Sequence, residues 1–245
     1  MTRINKSAYV GAWMVMLCGA VHATAAVTTF ENGPEGWQGP QGSGGITVID
    51  PTGGNPDANF HTTFNNFGIT FFNNTNTDFV MDYTQFTEVS LAVDVKVNQI
   101  GTFFPVSRPW LVELRDYDNV STTAPWVSVW YKFTDISAAA HPDWTTFSVT
   151  IDDPLSTSLP AGWGGFGDED PNTFEPILPA DRTFTDVLAG IDEIAFTTLE
   201  PGFFFSFDDY DVQLDNISIQ AVPEPASIGL FGFCAMLCLK RKKRS

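Results

Sequence analysis

Two indoles on one strand face are the first residues that invite a chemical reading. Between Trp126 and Phe133, strand alternation puts Trp126, Ser128, Trp130 and Lys132 on one side and Val127, Val129, Tyr131 and Phe133 on the other. If the first side is open, Trp126 and Trp130 stand four residues apart, about 13 Å along the strand. They would then stack on two non-adjacent rings of an extended glycan. If it is covered, both indoles belong to a core. Acids are the other resource, with 29 Asp+Glu against 12 Lys+Arg and a formal net charge of −17. Such a surface repels nucleic acid and anionic lipid and attracts divalent cations, which take carboxylate and carbonyl oxygens. Nucleophilic catalysis has little to work with. There is no G-x-S-x-G turn, and His61 and His141 lack zinc-ligand spacing. Glycoside hydrolysis needs only two well-separated carboxylates, but no Glu-x-Asp-x-x-Glu strand pattern occurs, so no catalytic residue is assigned.

The elements that must position these residues read as strands. Val89, Leu91, Val93, Val95 and Val97 alternate with Ser90, Ala92, Asp94 and Lys96. Similar alternation predicts strands over Thr77 to Tyr83, Trp110 to Arg115, Thr146 to Ile151, Ile191 to Leu199 and Val212 to Ala221. Phe67 to Phe72 and Phe203 to Phe207 are apolar on both faces, which predicts central or fully covered strands. Trp37, Val89, Leu91, Val93, Val95, Phe147 and Val149 are the predicted core. Asp152 to Thr183 is a long Pro- and Gly-rich stretch, read as a flap pinned by Trp163 and Phe166, and one short helix is expected around Thr185 to Ala189. These readings give an all-β fold, an antiparallel two-sheet β-sandwich of jelly-roll type with roughly 8 to 11 strands.

Both chain ends differ from this body. Arg3 and Lys6, the apolar run Ala8 to Val21 and Ala23-Thr24-Ala25 make a signal peptide over 1–25, so the mature chain is expected to start at Ala26. At the other end, Pro223-Glu224-Pro225 precedes the uncharged run Ala226 to Leu239, read as a short apolar helix, and a basic end from Lys240 to Arg244. Fourteen residues are short for a span, which takes about 20, and the basic end is expected on the cytoplasmic side. All three cysteines, Cys18, Cys234 and Cys238, fall in these two segments. The sandwich over 26–221 therefore has no disulfide, and it carries 5 basic and 28 acidic residues, a net charge near −23.

The stretch 222–245 resembles the PEP-CTERM sorting tail of Gram-negative bacteria. The resemblance rests on Val222-Pro223-Glu224-Pro225-Ala226-Ser227, the apolar run and the terminal Lys-Arg-Lys-Lys-Arg. It implies an exosortase-type processing enzyme as partner, with Pro223, Glu224 and Pro225 as the sorting motif. It also implies export across the inner membrane, transient anchoring through 226–239, and delivery to the cell envelope or the extracellular space.

A second resemblance covers most of the body. Thr28-Thr29-Phe30-Glu31-Asn32-Gly33 followed by Gly36-Trp37, with Trp144 to Val149 and Leu214-Asp215-Asn216-Ile217-Ser218-Ile219, is similar to laminin B domains and related carbohydrate-binding jelly rolls. In jelly rolls of this kind a structural calcium joins the first strand to the last, and Glu31 and Asp215, with Asn216 beside them, occupy those places. Asp215 is read on the face of Ile217 and Ile219, pointing inward at the rim. The expected function is a non-catalytic envelope or matrix protein that binds exopolysaccharide. The alternative is a secreted polysaccharide hydrolase or lyase on a similar sandwich.

Overall fold

Alternating β-branched residues dominate this chain, and in the computed structural model they pair into two antiparallel sheets. The structure describes residues 23–118, 120 and 124–224. The strands in order are β1 (Thr24–Thr28), β2 (Trp37–Gln38), β3 (Gly45–Gly54), β4 (Asp57–Asn66), β5 (Thr70–Asn73), β6 (Phe86–Ile100) and β7 (Arg108–Asp116). There follow β8 (Val127–Ile136), β9 (Thr145–Ile151), β10 (Trp163–Phe166), β11 (Asp168–Glu169) and β12 (Pro176–Ile177), then helix α1 (Phe184–Ala189), β13 (Glu193–Thr197) and β14 (Asp208–Pro223). The first sheet runs β3-β4-β14-β6-β9, with β1 also paired to β14; the second runs β10-β8-β7-β13-β5-β2. β11 and β12 form a separate small hairpin.

The core lies between the sheets, where an apolar row on each excludes water. Val89, Leu91, Val93, Val95 and Val97 of β6 are all buried, as are Leu214, Ile217 and Ile219 of β14. Trp110, Val112 and Leu114 face them from β7, with Ile194 and Phe196 from β13. Aromatic rings close the gap between layers: Phe60 meets Phe71 at 5.9 Å and Phe133 meets Phe147 at 5.9 Å. Trp110 stacks on Phe196 at 6.1 Å. Of the predicted core, Trp37, the four β6 residues and Val149 are buried, and Phe147 is half-buried.

Four sequence expectations are revised. Thr77 to Tyr83 is a turn leading into a 3-10 turn at Tyr83–Gln85. Phe79 and Tyr83 are buried there because spacing four also brings them together, and the Tyr83 hydroxyl donates to the Phe79 carbonyl at 2.9 Å. Asn76 and Asp82 side chains accept from the backbone N–H groups of Asp78 and Thr84, which replaces ladder pairing with turn bonds. Phe203 to Phe207 is an exposed loop, with Phe204 84% exposed, and Phe67 lies outside β5. The Asp152 to Thr183 stretch is structured in part: Trp163–Phe166 is itself a strand of the second sheet, paired to β8. Helix α1 matches its expected place and is capped reciprocally by Thr183 and Asp186.

The fourth revision concerns Asp215. Strand β14 pairs Asp215 with Asp94 but Ser218 with Ala92, so one extra residue is inserted between them. Asn216 takes that step at φ +47°, a left-handed conformation that Asn tolerates better than most residues. The face therefore switches. Val212 and Leu214 point into the core before the bulge, Ile217, Ile219 and Ala221 after it. Asp215 falls on the outer face of the first sheet, opposite to the inward placement expected.

At the chain ends, β1 begins at Thr24, ahead of the expected mature start, and pairs Thr24 to Thr28 with Ala221 to Ile217. Pro223 closes β14 opposite Phe86, and Glu224 is exposed. The rest of both expected sorting segments, Pro225 and the apolar run 226–239 included, lies outside the described residues. Among the described residues no helix is long and apolar enough to cross a membrane.

Candidate functional site

The register of β7, β8 and β13 decides what the Trp126/Trp130 face can do. Tyr131, Val129 and Val127 lie opposite Val112, Leu114 and Asp116, so this side of β8 faces the core. Trp130 and Ser128 lie opposite Glu113 and Arg115, on the outer face of the second sheet. Glu193 of β13 lies opposite Arg115 and joins that face. Both indoles are half-buried on the outer side and neither is in the core.

The two indoles have different surroundings. Trp126 is held by charge. Its Nε1 donates to Glu113 Oε1 at 2.9 Å, and the Arg115 guanidinium lies over its ring at 4.2 Å. Tyr117 and Phe166 each contact it at 6.0 Å. Glu113 is fully committed: Oε1 also accepts from Ser128 Oγ at 2.6 Å, and Oε2 accepts from Arg115 Nε at 2.9 Å and from its terminal nitrogen at 2.6 Å. Arg115 reaches Glu193 Oε1 at 2.6 Å with its other terminal nitrogen. All three charged groups are buried, Glu113 to 3% exposure. Burial alone would lower the Arg115 pKa, but Glu113 and Glu193 outweigh it and raise it above the ordinary value. Burial first, and Glu193 next, push the Tyr117 phenol upward.

Trp130 lies over glycine. Its cross-strand partner on β10 is Gly164, and a Cβ there would come within 2.2 Å of the indole. The indole thus packs closely against Gly164, where a side chain would collide with it, and the Nε1 donates weakly to the Gly165 carbonyl at 3.4 Å. At its end of the strand Lys132 bridges Asp135 and Glu200, each at 3.0 Å. The arrangement is a half-buried indole with polar groups on the same strand face, a combination that suits stacking on a sugar ring.

The Asp215 site is also assembled from several strands. Asp215 is fully buried beneath the β3–β4 turn: Oδ2 accepts from the Asn55 backbone N–H at 2.6 Å and Oδ1 from that of Asn216 at 2.7 Å. Asp94, its cross-strand partner, is also buried and accepts from the side-chain amides of Asn55 and Asn216, each at 2.9 Å, and from the Thr146 hydroxyl. Burial is the main cause that raises the Asp215 pKa to about 6, and Glu31 and Asp94 add to it while the two backbone donors oppose it. Glu31 itself is exposed. Sequence reasoning placed Glu31, Asp215 and Asn216 together but missed Asp94 and Asn55; the alternation Val93-Asp94-Val95 marked Asp94 only as outward. Nearby on β4, Asn59 is fully buried and its Oδ1 has no hydrogen-bond partner. Among the described residues, no group of three or more His, Cys, Asp or Glu side chains is placed to hold a metal ion.

No model of a known protein family matches the chain, and no curated protein is similar to it. Among solved structures, the family 11 carbohydrate-binding module from Clostridium thermocellum, in complex with a β-1,3-1,4-mixed-linked tetrasaccharide, is similar over 83% of this chain and 99% of that one, with 12% identity and a TM-score of 0.46. An exo-β-agarase matches over 82% of this chain and 26% of its own, with 16% identity and a TM-score of 0.47. The CBM22-1–GH10 modules of the Clostridium thermocellum xylanase 10B, complexed with xylohexaose, match over 82% of this chain at 12% identity and a TM-score of 0.44. This chain spans 29% of that xylanase chain.

Proposed function

We propose that this is a non-catalytic protein of the cell envelope or extracellular matrix that binds a neutral polysaccharide across the outer face of its second sheet. The observation that carries the reading is the half-buried Trp130 packed against Gly164, with Lys132, paired to Glu200, two residues on along the same face. A sugar ring stacks on such an indole through its C–H face, and the flanking polar groups fix its orientation. Trp126 belongs to the same face as a supporting residue, since Glu113 and Arg115 already hold it. The non-catalytic reading is supported by the state of the acids. A hydrolase needs two carboxylates free to act on a sugar, whereas Glu113 and Glu193 are both tied to Arg115. Affinity electrophoresis in gels of neutral polysaccharide tests the proposal. The protein is expected to be retarded without releasing reducing ends, and Trp130→Ala to restore free mobility. Retardation unchanged in Trp130→Ala would move the site elsewhere.

The sorting role of the C-terminal segment is part of the same proposal. Pro223 is buried as the last residue of β14 and Glu224 after it is exposed, so the motif begins at the edge of the sandwich, where Glu224 meets solvent. Replacing Pro223-Glu224-Pro225 by three alanines is expected to leave an unprocessed chain in the inner membrane fraction. Unchanged mature mass and location would contradict this.

Calcium near Glu31, Asp215 and Asn216 is proposed as a structural ion, with Asp94 as a further contributor. The donors suit a hard cation: two facing carboxylates, and nearby the buried Asn59 Oδ1, which accepts no hydrogen bond. The like charges also create the demand. A carboxylate with a raised native pKa binds its proton more tightly folded than unfolded, so stability falls as pH rises from about 4 to about 6. Thermal unfolding over that range in chelator is expected to show the fall, and added calcium to remove it. Asp215→Asn is expected to flatten the slope and abolish the calcium effect. A slope indifferent to both calcium and Asp215→Asn would reject the site.

A further inference from the structure

Six phenylalanines stand in solvent at one end of the sandwich, and nothing in the sheet-face proposal uses them. Phe67 follows β4, Phe103 and Phe104 lie between β6 and β7, and Phe203, Phe204 and Phe207 lie between β13 and β14. Phe103 is 90% exposed and Phe204 84%. An apolar group of this extent on a monomer surface marks a contact site. The three loops are held as one unit. Phe67 meets Phe204 at 5.0 Å and Phe207 at 4.2 Å. The Tyr210 hydroxyl donates to the Phe67 carbonyl at 3.0 Å, and Arg108 Nε donates to Tyr210 at 3.2 Å. Arg108 also pairs with Asp208, and Gly101 N–H donates to the Asp209 carbonyl at 2.9 Å.

We propose that this tip inserts into the surface of an electrically neutral lipid bilayer. Three features on the molecule point to that partner. First, residues 66–69, 101–107 and 201–207 contain no ionisable side chain, in a chain with 29 acids and 12 bases. An acidic body is repelled by anionic surfaces, so the uncharged tip fits a zwitterionic one. Second, two of the hydroxyls in these loops are already bonded to the sandwich. Thr102 Oγ1 accepts from the Asp209 N–H, and Ser206 bonds to Arg108 and Asp208. A glycan needs charged or amide hydrogen-bond partners beside the ring, and this tip offers mainly phenyl rings, which lower their free energy by leaving water. Third, β14 starts at this tip and ends at Pro223 at the other end of the sandwich, where Thr24 of β1 also lies, opposite Ala221. The tip therefore lies at the opposite end of the sandwich from Thr24 and Pro223.

The test is local hydrogen–deuterium exchange on the full chain, with and without phosphatidylcholine vesicles, because it reads the loops separately from the C-terminal segment. Segments 101–107 and 201–207 are expected to exchange about tenfold slower with vesicles, as burial suppresses local opening. The effect should shrink at low salt as phosphatidylglycerol replaces phosphatidylcholine. It should vanish in the variant Phe103→Ser/Phe104→Ser/Phe204→Ser, while β6 and β14 keep their protection as evidence of an intact fold. Loop exchange unaltered by vesicles would overturn the proposal. So would slowing that follows protein concentration without lipid, which would identify a second copy as the partner. Slowing by neutral polysaccharide without lipid would equally overturn it.

Discussion

The bulge at Asp215–Asn216 is the constraint on which the first sheet depends. Strand β14 pairs with β4, β6 and β1, so its side chains must alternate correctly over sixteen residues. Its sequence does not alternate regularly: the apolar positions are even-numbered through Leu214 and odd-numbered from Ile217. A straight strand would put Asn216, Ser218 and Gln220 into the core, at a cost of order 1–3 kcal/mol for each buried polar group without a partner. Inserting one residue restores the match, and an Asn at positive φ lets the chain take it with little strain. The same insertion sets Asp215 against Asp94 on the outer face, beneath the β3–β4 turn. One local irregularity thus secures the core and builds a cluster of acids above it.

The second sheet carries its polar burden differently. Glu113, Arg115 and Glu193 occupy adjacent outer positions on β7 and β13, and all three are withdrawn from solvent. Desolvating three charges is expensive, several kcal/mol per ion before pairing. The cost is offset because each oxygen of Glu113 accepts two hydrogen bonds and Arg115 is bonded on both sides. The lattice fixes Trp126 by a hydrogen bond and a guanidinium stack. Trp130, four residues further along the chain, is outside the lattice and lies against a glycine. The two indoles that look equivalent by spacing are therefore held in different ways, one by charge and one against a glycine.

The strongest sequence signals were those where one period held over a whole element. The alternation of Val89 to Val97 identified β6 and its buried face, and the short helix expected around Thr185 to Ala189 is α1. Signals failed where a residue served two periods or where packing overrode pattern. Phe79 and Tyr83 fit both strand and turn spacing. Phe203 to Phe207 is apolar enough for a covered strand, but its glycine and proline neighbours and the Arg108–Asp208 pair hold it as an exposed loop. Alternation alone carried Asp215 onto the wrong face, because the bulge shows only when the parity of the distant apolar residues is compared. The Glu113–Arg115–Glu193 lattice needs two strands far apart in sequence, so β7 alone gave no sign of it.

Glycan binding on the second sheet turns on which indole meets ligand. Six tryptophans lie among the described residues, each with a side-chain N–H that nuclear magnetic resonance can follow separately. Titrating soluble neutral oligosaccharides of glucose, xylose or galactose is predicted to shift Trp130 most, with Lys132 alongside. Trp126 should move little, and Trp37 and Trp110 in the core and Trp144 beside the β3–β4 turn should stay in place. Shifts centred on Trp144, or saturable binding that leaves Trp130 unmoved, would contradict a glycan site on the second sheet.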